Sequence, residues 1–351
     1  MAPTLDIGTV IALRYRIESL IAEGGMAAVY RARHVALGTP VALKVLPARR
    51  ASPVGYSQTR FEREARNAAR LDHPGCVRVF DYGVSIDGSR FLAMELLDGP
   101  SLRAELSSGE ACRIDTAVWI VDHLLDALAH AHARGVLHRD IKPENVVFAR
   151  RDGGHTPVLV DFGLSQQVDD APLTAAGACV GSPSYLAPER LLGRAADERS
   201  DLYSIGVLFY ELLAGARPFH ASSPATIARL QVYEQAAPLA THRPEVPATL
   251  AAVIRTAMEK DPARRFTSAT AMRTAVSAAM AFAARATPPA LASPSAASPA
   301  PGRAHRSRPI RRRDEPSLAS TCLELDAVRP SAKRLWSWLR FGSWRWRLRA
   351  A

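Results

Sequence analysis

Two aspartates stand where this chain could move a phosphoryl group: Asp140, within His138-Arg139-Asp140-Ile141-Lys142-Pro143-Glu144-Asn145, and Asp161, within Asp161-Phe162-Gly163. A carboxylate set beside a hydroxyl can accept its proton and orient its oxygen, which suits Asp140. Carboxylate and amide oxygens suit Mg²⁺, a hard cation that binds a few protein oxygens together with substrate phosphates, so Asp161 and Asn145 read as a metal-holding pair. Lys142, two residues after Asp140, would add a compact positive charge near the transferred group. Transfer of the γ-phosphoryl group of ATP to a hydroxyl asks for little more, because positioning and charge neutralisation supply most of the catalysis.

Local elements must carry these groups together. Asn145-Val146-Val147-Phe148 and Pro157-Val158-Leu159-Val160 read as two short strands around an Arg151-Asp152-Gly153-Gly154 turn, a hairpin that would bring Asn145 and Asp161 close. Lys44 ends Val41-Ala42-Leu43-Lys44, an apolar, β-prone run that reads as a buried strand. The chain has only four lysines, Lys44, Lys142, Lys260 and Lys333, among 45 basic residues. Two of them fall where the chemistry favours an ammonium over a planar guanidinium.

With these residues in view, the chain resembles the Hanks-type serine/threonine protein kinases, above all the bacterial branch, over residues 12–282. The resemblance implies an α+β, two-lobed fold, with a β-rich small lobe carrying one key helix, a mainly helical large lobe and Mg-ATP between them. In that frame Ile21-Ala22-Glu23-Gly24-Gly25-Met26-Ala27-Ala28-Val29-Tyr30 is the glycine-rich hairpin whose amides cover the ATP phosphates. Alanine replaces the first and third of the three usual glycines, at Ala22 and Ala27, and a methyl group there restricts backbone angles and close approach to phosphate. Lys44 would hold the α and β phosphates and pair with Glu64, in Phe61-Glu62-Arg63-Glu64 at the head of a helical pattern reaching Leu71. Glu62 competes for that role, and the spacing favours Glu64. Met94 would be the gatekeeper, Glu95 and Leu97 would offer backbone to the adenine edge, and Ile21, Val29, Ala42 and Val147 would form apolar walls.

The activation segment would run from Asp161 to Ala187-Pro188-Glu189. Ser182, in Gly181-Ser182-Pro183-Ser184-Tyr185, would brace Asp140 and Lys142 and mark the serine/threonine class. Arg139 beside Asp140 suggests control by a phosphate on that segment, with Thr174 as acceptor. Asp201 would brace the catalytic loop, and Glu189 with Arg265 would form a buried ion pair. His130, His132 and His138 lack acidic or cysteine companions that would complete a zinc set, so they read as packing. Glu144 could favour basic residues near the acceptor, but the family's motif contains it so widely that it discriminates little.

Cys76, Cys112, Cys179 and Cys322 form no close pair, which argues against a disulfide framework and for a reducing compartment. No signal peptide is expected from Met1 to Tyr15, and the alanine-rich run Thr274 to Ala284 is too short to span a bilayer. Residues 285–351 hold fourteen basic and four acidic residues, +10 of the net +11, so the catalytic body is near neutral and no nucleic acid is expected on it. The chain divides into an N-terminal extension (1–11), the kinase domain (12–282), a Pro/Ala/Ser-rich and basic disordered linker (283–317) and a basic tail (318–351) holding four of the five tryptophans. Aromatic and basic residues together suit an anionic membrane surface, and an acidic partner is the alternative. The expected function is phosphorylation of protein Ser/Thr in the cytoplasm, with the tail suited to peripheral attachment at the inner membrane face. The alternative is a pseudokinase scaffold, favoured only by Ala22 and Ala27. Whether two kinase domains pair as a transient homodimer is left open.

Overall fold

Strand Pro40–Leu46 shows how the small lobe follows from its sequence: it is buried on both faces, and alternate residues serve different layers. Val41, Leu43 and Val45 face a core of Ile11, Tyr15, Ile17, Tyr30 and Phe91. On the opposite face Ala42 joins Met94, Val77, Ala149 and Val158, and Leu46 joins Phe61, Ala65 and Leu92. Lys44 lies between them on that second face.

The computed structural model describes residues 5–24, 27–48, 58–151, 154–162 and 183–286. Six antiparallel strands form the small lobe, β1 (Val10–Ile11), β2 (Tyr15–Glu23), β3 (Ala28–His34), β4 (Pro40–Leu46), β5 (Val79–Val84) and β6 (Arg90–Met94), in the order β1-β2-β3-β4-β6-β5. Helix α1 (Gln58–Ala68) buries Phe61 and Ala65 against the sheet. The sheet starts earlier than position 12: Val10 and Ile11 pair with Arg16 and Tyr15, Ile11 is buried, and the Leu5 amide donates to the Tyr30 hydroxyl at 3.0 Å. Residues 5–11 therefore belong to the small lobe and are not an appendage, because the register of β2 leaves an edge that they cover.

The large lobe follows with α2 (Leu102–Glu105), α3 (Ile114–His132), the hairpin β7 (Val146–Arg151) and β8 (Gly154–Leu159), then α4 (Pro188–Leu191), α5 (Glu198–Ala214), α6 (Pro224–Tyr233), α7 (Leu239–His242), α8 (Ala248–Ala257) and α9 (Ala269–Ala286). The last helix passes position 282, and the run from Thr274 to Ala284 lies inside it, burying Val276 and Ala279 in the lobe core. Helix α5 is apolar almost all round and buried from Ser200 to Leu213, as a central helix must be. Asp197 caps it in a reciprocal box with Ser200, and Gly215 ends it at φ 73°. Among the described residues, no helix is long and apolar enough to cross a membrane.

Two backbone seams join the lobes. The Val77 amide donates to the Leu159 carbonyl at 3.0 Å, and the Leu159 amide to that of Gly75 at 2.9 Å. Beyond β6 the chain crosses through Glu95–Asp98 to Pro100, whose carbonyl accepts from the Phe148 amide at 3.0 Å. Gly99 is required there, since a Cβ would stand 2.2 Å from the Phe148 carbonyl oxygen.

Glu189 and Arg265 form the expected buried pair, with two parallel bonds of 2.8 Å each and Arg265 fully enclosed. Burial works to raise the Glu189 carboxyl, but the Arg265 guanidinium more than offsets it and holds the group below its ordinary range. Replacing Arg265 with Met leaves a carboxylate uncompensated and should cost about 3–5 kcal/mol in urea unfolding at pH 7.

Candidate active site

The site is built outward from Asp201 in α5. Its Oδ2 accepts from the His138 amide at 2.9 Å and from His132 Nε2 at 2.9 Å, and its Oδ1 accepts from the Arg139 amide at 2.8 Å. Burial opposes its charge, yet His132 and these amides keep the carboxyl below its usual range. The bonds hold Arg139 at φ 67°, a left-handed conformation that costs a non-glycine residue about 1–2 kcal/mol and turns the chain sharply before Asp140. Arg190 adds a bond to the Arg139 carbonyl.

Asp140 is then fixed by its neighbours. Lys142 Nζ donates to its Oδ2 at 2.6 Å, and Asn145 Nδ2 donates to the same oxygen at 3.0 Å and to the Asp140 carbonyl at 2.8 Å. The Asn145 amide group is thereby oriented with its Oδ1 away from Asp140. His138 is wholly buried, which pushes its imidazole below the usual range and keeps it neutral. Nε2 donates to the Val160 carbonyl at 3.0 Å and Nδ1 accepts from the Asp140 amide at 3.3 Å, so the proton resides on Nε2.

Val160 also donates its amide to the Asn145 carbonyl at 3.0 Å, so the hairpin does deliver Asp161 beside the catalytic loop. Asp161 adopts φ 64°, and Phe162 next to it is buried with its ring 4.7 Å from that of His138. From this anchor Asp161 Oδ1 accepts a bond from Lys44 Nζ at 3.0 Å, across the cleft. Lys44 is 6% exposed on β4. Glu64 lies on α1, but its side chain falls outside the described residues. Glu62 lies 3.8 Å from Arg66, one turn further along α1.

Met94 is buried on β6 opposite Ala42, with Val29 and Leu97 packed against the same cluster. Val147 is half-buried on β7, bridged to Ser101, and Ile21 is half-exposed on β2. The Glu95 amide is engaged by the Arg78 carbonyl at 2.8 Å, so that residue can offer an adenine edge only its carbonyl. A groove of about 640 Å³ takes in Ile21, Glu95, Leu96 and Leu97 at the hinge end, but none of Lys44, Asp140 and Asp161 lines it. In the hairpin between β2 and β3, Ala22 pairs with Val29, Glu23 with Ala28, and the Gly24 amide donates to the Ala27 carbonyl at 2.9 Å. Ala22 has no positive φ, so that alanine sits in backbone that any residue adopts. Gly25, Met26, Thr174 and Ser182 lie outside the described residues.

A profile described as "Protein kinase domain" matches residues 15–276. The chain belongs to the protein kinase family. Serine/threonine-protein kinase pkn3 of Myxococcus xanthus is 41% identical over 277 residues, 76% of this chain and 50% of that protein. Serine/threonine-protein kinase PknJ of Mycobacterium tuberculosis is 41% identical over 283 residues, 80% of this chain and 47% of that protein. The chain thus spans about half the length of these curated relatives. Among solved structures, the kinase domain of M. tuberculosis PknI superposes with a TM-score of 0.64 at 30% identity, covering 79% of this chain and all of that one. The bacterial Hanks-type resemblance and the two-lobed kinase fold stand on these matches.

Sequence reading gave no sign of His132 as a ligand of Asp201, of Arg190 on the Arg139 carbonyl, or of Arg103. Arg103 binds Glu144 and Glu211, which are far from it along the chain. Asp201→Ala strands three donors in the kinase core and should cost about 3 kcal/mol at pH 7. Because the folded carboxyl is depressed, its contribution is present above the ordinary carboxylate range, about 4, and lost as pH falls through the folded value. Urea midpoints of the variant and the parent should therefore converge as pH falls below the ordinary carboxylate range.

Proposed function

We propose that the chain is a serine/threonine protein kinase that transfers the γ-phosphoryl group of Mg-ATP to Ser or Thr hydroxyls of proteins. One observation carries this reading: Asp140, held by Lys142 and Asn145, lies on the same bonded framework as Asp161, which reaches Lys44 across the cleft. The names of the bacterial relatives support the serine/threonine class. The donor set fits the metal, since Asp161 supplies hard carboxylate oxygen and Asn145 turns its Oδ1 away from Asp140. When bound, Mg²⁺ would neutralise phosphate charge and orient the triphosphate.

In this reading Asp140 orients the acceptor hydroxyl and takes its proton as the bond from its oxygen to the γ-phosphorus forms and the bond to the ADP oxygen breaks. Lys142 steadies the charge of the transferred group. Lys44 holds the α and β phosphates and shares Asp161, so nucleotide binding and lobe alignment depend on one ammonium. Glu64 is the partner proposed for Lys44 on α1, and the pairing of Glu62 with Arg66 supports that choice. Gly24, Gly25 and their neighbours from Ile21 to Val29 cover the phosphates. The ordinary backbone at Ala22 speaks against one conformational ground for the scaffold reading.

Phosphate transfer from labelled Mg-ATP to a generic protein and to the chain itself should be clear in the parent. It should fall about 10²–10⁴-fold in Asp140→Asn and in Lys44→Ala, with label on Ser or Thr. Nucleotide binding with no transfer in the parent would instead return the weight to a scaffold.

The basic, tryptophan-rich tail is proposed to hold the kinase against an anionic membrane surface. The full chain should co-sediment with anionic vesicles and not with neutral ones, and should release at about 1 M salt, where screening reaches about 3 Å. Failure to bind at low salt would leave an acidic protein partner as the tail's target.

A further inference from the structure

Side chains from three other elements converge on Arg103 in α2. Its Nε donates to Glu144 Oε1 in the catalytic loop at 2.8 Å, its Nη1 to Glu211 Oε1 on α5 at 3.0 Å, and its Nη2 to the Tyr185 hydroxyl. Tyr185 in turn donates to Glu211 Oε2. Glu211 is 7% exposed, whereas Glu144 is 46% and Arg103 34% exposed, so the cluster opens to solvent on one side.

Its position matters as much as its bonds. Glu144 directly precedes Asn145, whose amide group holds Asp140, so the cluster borders the place where an acceptor hydroxyl must sit. Two converging carboxylates there form the kind of site that a guanidinium fork on an incoming peptide would match. In this chain the fork is already supplied from within.

We propose that Arg103 is a specificity-determining residue that fills the Glu144–Glu211 carboxylate pair, so that this kinase takes acceptors without selecting a basic residue beside them. The inference rests on the kinase reading and deepens it. A substrate arginine could enter only by expelling Arg103. It would exchange one set of charge-assisted bonds for an equivalent set while also losing its own freedom, which leaves no net gain. On this proposal Glu144 draws no basic residue: the carboxylate is present, but it is answered internally.

The test uses the full chain and threonine peptides carrying alanine or arginine at each position flanking the acceptor. In the parent, kcat/KM should differ by less than about threefold between each pair. Arg103→Met should raise the arginine-to-alanine ratio about tenfold at one or two positions, and adding Glu144→Gln to it should abolish that gain. A merely structural role for Arg103 would lower all rates together and leave the ratios unchanged. Should Arg103→Met fail to fold, Arg103→Lys, which keeps a charge near Glu211 but cannot span both carboxylates, is read in the same way. An arginine preference of about tenfold in the parent, or equal ratios in parent and variants, overturns the proposal. Transfer to no peptide, with the parent equal to Asp140→Asn, defeats the kinase reading itself and this inference with it.

Discussion

A carboxylate taken out of water is stable only when its oxygens are met by donors, and Asp201 meets that demand with the backbone of the loop it must hold. Every later step depends on it. Its bonds oppose the strain of Arg139, the turn at Arg139 aims Asp140, and His138 passes the constraint to the Val160 carbonyl and the Phe162 ring. Asp161 follows from those contacts, and through Asp161 the constraint reaches Lys44 in the other lobe. A helix buried in the large lobe thus governs where a lysine of the small lobe finds its counter-charge.

Much of this was legible in the chain because it is written locally. The apolar, β-prone run Val41–Lys44 specified a buried strand, and the β7–β8 hairpin followed from two apolar runs around a glycine turn. The pairing of Glu189 with Arg265 and the bracing by Asp201 were legible through the family resemblance. What stayed hidden is non-local. In a chain where arginine supplies nearly all positive charge, nothing near Arg103 distinguishes it from an exposed helix residue, because its partners come from three other elements. The first strand was missed because two residues carry too little pattern to register. Ala22 in the phosphate hairpin looked costly by rule, but the backbone at that position makes no demand that only glycine meets.

Lysine usage teaches the same lesson. Lys44 and Lys142 serve carboxylates at the site. Lys260, which no motif marked, lies 4.6 Å from the Phe219 ring and donates to the Gln231 carbonyl at 2.8 Å, with burial pushing it down to about 8. A compact ammonium fits such an enclosure better than a planar fork. Among the described residues, lysine retained in this arginine-rich chain therefore marks cations held by nearby acceptors, whether or not they act on substrate.

The two seams between the lobes have a mechanical consequence. Gly75–Val77 is stitched to Leu159, and at the crossing Glu95 is gripped by Arg151 while Pro100 is tied to Phe148. Two pinned points define a line. The sheet can swing about that line, lifting the β2–β3 hairpin at its free edge, but sliding sideways would break both seams at once. Any such swing would lengthen or shorten the Lys44–Asp161 contact, which spans the cleft.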